Sequence, residues 1–250
     1  MAEKIDKYKV LAALVRSFFD AFSHGVIESQ VEDQKEKMTP QSVKKLMLEH
    51  YEHIAPAFFD TMFFPLAAMN YKYEDIAALA REAQQRGDDM MALVHTACGD
   101  EAYYNAMVEE YKRNFSMLLA GKYLSNADHL EGYVRKAEEE TEASVDSDRA
   151  IELTVRVVMF AYVRGLRQTG EGARFDRSAH LRQVHPLRGA TLFRLMLDAM
   201  NILLLDEAVD FADAEAADLA SLFLKVCQTQ HNFTVMTDEM DRTYSELMKE

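Results

Sequence analysis

Apolar positions recur along this chain at helical spacing. Leu11, Leu14, Val15, Phe18 and Phe22 lie at i, i+3, i+4, i+7 and i+11, one face of a helix, with Gly25 placed to stop it. Thr39 followed by Pro40 is a start signal, a capping hydroxyl ahead of a residue suited to the first helical position. Val43, Leu46, Met47, His50 and Ile54 then share a face until Pro56. The stretch AFFDTMFFPLAAM, 57–69, is apolar on nearly every side, which places it at the centre of a bundle or under a partner chain, and Pro65 is expected to kink or split it.

A helix over 73–87 ends at Gly87, and helices at about 89–98, 101–120 and 127–140 follow, separated by Gly99 and by Gly121 with Ser125 and Asn126. Residues 149–169 and 186–206 read as two strongly apolar helices. Between them 170–185 reads as a loop, because Gly170 and Gly172 loosen the chain and Pro186 restarts a helix. Asp213 is placed to cap a further helix, interrupted near 230–232, that runs almost to the end. No repeat at a fixed period is visible. The pattern predicts an all-α multi-helix bundle of about eight to ten helices in a single domain, 1–250. The sharpest composition break, EEETEASVDSD at 138–148, reads as a solvated helix end and loop; the alternative is a sub-boundary within 138–149 between two helical halves.

Composition narrows the function classes. Only 9 glycines and 4 prolines leave few turns, against a strand-and-turn architecture. A net charge of −14 argues against nucleic acid and against anionic membrane surfaces as partners. The apolar run from Val10 is interrupted by Arg16 and Asp20, and LMLDAMNILLL at 195–205 carries Asp198 and Asn201, so neither a secretion signal nor a membrane span is expected. Cys98 and Cys227 are the only cysteines and form no CxxC, which suits a reducing cytoplasm.

Four candidate chemistries follow from local motifs. In VHPLRGATLF, 184–193, His185 with Arg188 and Gly189 resembles the phosphorylated helix of histidine-phosphotransfer domains over about ten residues. Pro186 biases His185 away from helical geometry, and Phe193 stands near where such motifs carry a second small residue. Glu49, His50, Glu52 and His53 could ligate a metal inside a bundle, but no second Glu/His pair completes a di-iron pattern, and a surface role is expected with no metal or other cofactor. The opening of 73–87 resembles the start of a helix-turn-helix; Asp88 and Asp89 follow it instead of a basic recognition helix. The acidic groups Asp88–Asp89 and Asp206, Glu207, Asp210 and Asp213 read as solvated helix ends.

The informative anomaly is charge placement. From Arg164 to Arg194 run seven arginines against only Glu171 and Asp176, net +5 within this acidic chain and without one lysine. Arginine grips carboxylate and phosphate bidentately, so Arg167, Arg174, Arg182, His185 and Arg188 are the candidate ligand-binding residues. Internal pairing of the same arginines, for instance with 138–148, is the competing account. No catalytic residue is assigned. The expected function is that of a non-enzymatic regulatory or interaction protein binding an acidic protein partner or a phosphate- or carboxylate-bearing small molecule. The alternatives are a helical-bundle enzyme with a metal–carboxylate site near 49–53 and phosphotransfer through His185. A homodimer burying part of 57–69 or of 192–205 is also expected.

Overall fold

Two three-residue strands each feed a 22-residue helix, and these four elements organise the rest. The computed structural model describes residues 3–30, 39–120, 143–168, 177–183, 190–205 and 219–249. In chain order the elements are β1 (Lys4–Asp6), α1 (Lys7–Glu28), α2 (Pro40–Glu49), α3 (Tyr51–Asn70), α4 (Tyr73–Arg86), α5 (Met90–Ala97), α6 (Glu101–Leu119), β2 (Ser144–Asp146), α7 (Ser147–Gln168), α8 (Arg177–Gln183), α9 (Ala190–Leu204), α10 (Leu219–Cys227) and α11 (Gln230–Leu247). The all-α multi-helix bundle is thus the observed architecture, with eleven helices among the described residues. The expected helix at 127–140 and the cap at Asp213 lie outside the described residues.

Local chemistry sets five of the helix starts. The Asp6 carboxylate accepts from the amides of Tyr8 and Lys9, Thr39 and Ser42 form a reciprocal capping box, and Asp89, Asp100 and Thr229 cap α5, α6 and α11. Pro65 does not split α3, which runs unbroken from Tyr51 to Asn70 with Pro56 and Pro65 inside it. The burial of Phe58, Met62 and Leu66 outweighs the backbone hydrogen bond that each proline removes. The chain itself covers much of this apolar helix: Phe58 packs on Phe18 of α1 at 5.1 Å and on Tyr111 of α6 at 4.7 Å between ring centroids.

The strands pair antiparallel, Ile5 opposite Val145, and the ribbon is locked by reciprocal bonds from Lys7 N to Ala143 O and from Ser147 N to Glu3 O. This exchange reveals a pseudo-two-fold arrangement. α1 packs against α7, and around that pair the contacts reciprocate: α1 on α6 and α9 matches α7 on α11 and α3, while α3–α5 matches α9–α10. The same correspondence is written in the residues. Asp6, Arg16 and Gly25 recur as Asp146, Arg156 and Gly165; Leu66, Ala68, Met69 and Asn70 recur as Leu197, Ala199, Met200 and Asn201. Cys98, Met107, Glu110, Arg113 and Ser116 recur as Cys227, Met236, Glu239, Arg242 and Ser245. The separation is 140 residues in the first set, 131 in the second and 129 in the third, which is why no fixed period is visible.

Gly25 does not end α1, contrary to the sequence expectation; the helix continues to Glu28. A Cβ on Gly25 would stand 2.1 Å from the carbonyl oxygen of Tyr162, and one on Gly165 would stand 2.2 Å from that of Phe22. The two helices touch backbone to backbone at symmetry-equivalent points. A second correction concerns 170–185, expected as a loop: residues 177–183 form α8. Leu181 is buried there and its carbonyl accepts from the Tyr244 hydroxyl at 3.1 Å, so tertiary contacts stabilise about two turns of helix that glycines upstream had obscured.

Replacing Gly25 or Gly165 with alanine should lower stability by roughly 2–3 kcal/mol, the upper range for overpacking, because the obstacle is backbone and not a movable side chain. Urea unfolding of the two single variants checks this. Matching losses are expected, and a loss below about 0.5 kcal/mol, the scale of ordinary surface changes, would show that the helices do not meet there.

Candidate functional site

The arginine-rich segment divides by environment. Arg164, half-buried near the end of α7, pairs with Asp60 of α3. Arg167 follows one turn later and is exposed, in the last turn of α7, where a cation complements the negative helix end. Arg182 is exposed on α8. That helix is tied to α7 by a 2.8 Å hydrogen bond between the Tyr162 hydroxyl and His180 Nε2, and to α11 through Tyr244 and the Leu181 carbonyl. Burial, with Glu28 nearby, pushes the Tyr162 hydroxyl far above the usual tyrosine range, so it serves as a neutral hydrogen-bonding anchor. Arg174, His185 and Arg188 lie outside the described residues, as does any helical setting for the phosphotransfer-like motif. The described part of the acidic stretch turns elsewhere: Asp146 pairs with Lys4 and Asp148 with His231.

The other candidates resolve into local structure. Glu49, Glu52 and His53 are all exposed, and Glu49 pairs with Lys45. Burial and its neighbour His53 hold His50 below its ordinary value. No group of three metal-ligating side chains occurs among the described residues. Asp88 pairs with Arg86, and Asp89 is the cap of α5. His95 bonds Glu101 at 2.7 Å. Burial pushes both the Cys98 and Cys227 thiols up to about 12, so neither is a thiolate near neutral pH. Among the described helices α1 alone is long and apolar enough to cross a bilayer, and here its surface is packed inside the bundle.

Two charged clusters between helices were not anticipated. In the second half, Arg156 bonds Glu239 at 3.1 Å and Glu246 at 2.9 Å on α11, and its guanidinium lies over the rings of Phe64 and Phe160. Glu239 also meets Arg242 at 2.8 Å and accepts from Thr243. At the equivalent place in the first half, Arg16 is 4% exposed and donates to Asn114 of α6. One and two turns beyond it on α1 stand Asp20 and His24. The His24 Nδ1 lies 3.0 Å from the Asp20 carbonyl oxygen and 3.4 Å from its carboxylate.

Across the α1–α9 seam, half-buried Asp198 faces this array with exposed Arg194 beside it. Burial pulls His24 down, but the Asp20 charge and hydrogen bonds, with Asp198, outweigh it and raise it to about 9. Burial and repulsion from Asp20 push Asp198 up to about 7 against the opposing pull of His24, Arg16 and Arg194. The signal was present in the sequence: Arg16, Asp20 and His24 recur every four residues along an otherwise apolar helix.

Compared with known protein families, curated proteins and solved structures, the chain matches none.

The Glu239 carboxylate, 2% exposed, carries the second-half cluster. Glu239→Ala should cost about 3 kcal/mol in chemical denaturation, the lower range for breaking a buried pair, since Glu246 still faces Arg156. An effect under about 1 kcal/mol would mean that the pair is screened by solvent.

Proposed function

We propose that this protein works by binding and not by covalent chemistry, holding an acidic protein partner or a phosphate- or carboxylate-bearing small molecule on the face formed by the end of α7 and by α8. Arg167 and Arg182 are the described contributors; Arg174, His185 and Arg188 extend the same segment outside the described residues.

The observation that carries this reading is a difference between the two halves. Ile27, at the position equivalent to Arg167, is partly buried against the core. The scaffold common to both halves therefore does not require a cation there, and Arg164 already supplies the ion pair to α3. The exposed guanidinium of Arg167 is thus a feature that the second half adds to the shared scaffold. The lysine-free character of 164–194 points the same way, since the planar guanidinium fork suits bidentate oxyanion recognition better than a point charge. Mounting on two helices pinned by Tyr162, His180 and Tyr244 keeps the ordering cost of binding low.

The test is calorimetric titration of the full chain with inorganic pyrophosphate and with a polyglutamate peptide. Arg167→Ala/Arg182→Ala should weaken binding by at least about tenfold, the loss of one charge-assisted hydrogen bond. Its melting temperature should stay within about 2 °C of the parent, as exposed substitutions do in a chain of this size. Unchanged binding, or a large drop in melting temperature without a binding effect, would return these arginines to structure.

A further inference from the structure

We propose that α8 is a strap, fastened across α7 and α11 by the hydroxyls of Tyr162 and Tyr244, that lets go while the bundle beneath it stays folded. An anion held by Arg182 tightens the strap, a consequence that rests on the anion-binding face proposed above; the strap itself does not.

The two halves differ at this helix. The Tyr162 hydroxyl bonds His180 Nε2 at 2.8 Å, and the Tyr244 hydroxyl donates to the Leu181 carbonyl at 3.1 Å. Both hydrogen bonds cross from the central layers to adjacent residues of α8. The positions equivalent to these tyrosines, 140 and 129 residues earlier, are Phe22 and Phe115. Each keeps the ring and lacks the hydroxyl. The shared scaffold therefore packs without either oxygen, and the second half carries both where they reach the same seven-residue helix.

α2 holds the corresponding place in the first half, packing on α1 and α6 as α8 bonds to α7 and α11. It is held differently. α2 is ten residues long, starts from the Thr39–Ser42 capping box and buries Val43 and Met47. Among the described side chains of α8, Leu181 alone is buried, and Arg182 is exposed. A helix of seven residues is too short to persist by itself in water, so α8 is a helix while it is docked. Lifting α2 would expose two buried apolar side chains. Lifting α8 exposes one of those described, and water then takes over the hydrogen bonds of both hydroxyls. A net hydrogen bond holds less firmly than apolar burial for that reason. Docked α8 is the ground state, and its release is a local opening and not a loss of the fold.

The effect of a ligand follows from linkage. Arg182 is the residue after Leu181, so it keeps its place beside the bundle only while α8 is docked. An anion that binds this docked arrangement must stabilise it against release by the same coupling through which docking strengthens binding.

The experiment follows amide exchange of the full chain over 177–183, with 7–28 as reference, at urea concentrations below the unfolding transition. Exchange at α8 should rise with urea much less steeply than at α1, because a local opening exposes little surface. Tyr162→Phe and Tyr244→Phe, which supply the residues of the first half, should each speed α8 exchange by about fivefold, the effect of one net hydrogen bond. Exchange of α8 that climbs with urea in parallel with α1, or that neither variant changes, would overturn the strap. If one variant fails to fold, the other and the urea comparison within the parent decide the matter. Inorganic pyrophosphate, at about ten times its dissociation constant, should slow α8 exchange by roughly tenfold. Binding without that slowing would overturn the tightening by anion. Absence of binding would remove the anion-binding face and the tightening with it, while the urea and tyrosine results still decide the strap.

Discussion

Where α1 and α7 cross, neither helix has room for a single additional carbon atom. Each glycine presses its backbone onto a carbonyl of the other helix, and the contact lies level with its symmetry mate because both helices start from the same short ribbon. Glycine within a helix is unfavourable by about 1 kcal/mol relative to alanine, and the fold accepts this twice. Around this close approach Phe18, Phe19 and Phe22 on one helix and Val158, Met159 and Tyr162 on the other are left with almost no exposed surface. α3 and α9 then dock across the central pair, α6 and α11 flank it, and the remaining helices decorate these. Relaxing the crossing would shift both outer layers together.

What could be read from the sequence was what local chemistry decides. Thr39, Gly87 and Gly99 announce their boundaries, and the apolar stripe of α1 is the stripe that is buried. Gly25 was misread because its meaning depends on Tyr162, far away along the chain; locally, glycine after an apolar run is a stop signal. The charges Arg16, Asp20 and Asp198 were read as interruptions of apolar segments that excluded a membrane role. In the fold the same interruptions lie close enough for their charges to act on one another. Arginine enrichment in 164–194 was legible, but its division into the inward Arg164 and the exposed Arg167 and Arg182 required the neighbouring helices.

The two halves are not equally alike throughout. Their turns before α6 and α11 share one backbone shape, yet Gly99 holds the left-handed conformation in one and Gln228, at φ 63°, holds it in the other. Gln228 recovers part of that strain by donating from its side chain to the Leu204 carbonyl at 2.8 Å, a tie from this turn to the end of α9. The Arg16 and Arg156 positions keep the same charge but different company, Asn114 on one side and a glutamate network on the other. Shared geometry with unequal chemistry is the character of this molecule.

The ribbon also imposes an order of events on synthesis. Strand β1 and the whole of α1 leave the ribosome about 140 residues ahead of their partners, β2 and α7. At typical elongation rates of about 5–20 residues per second, that is a wait of roughly 7–28 seconds. During it the long, largely apolar α1 has no α7 to lie against and has only α3 and α6 to pack on. The arrival of residue 168 therefore marks the moment when its central face closes.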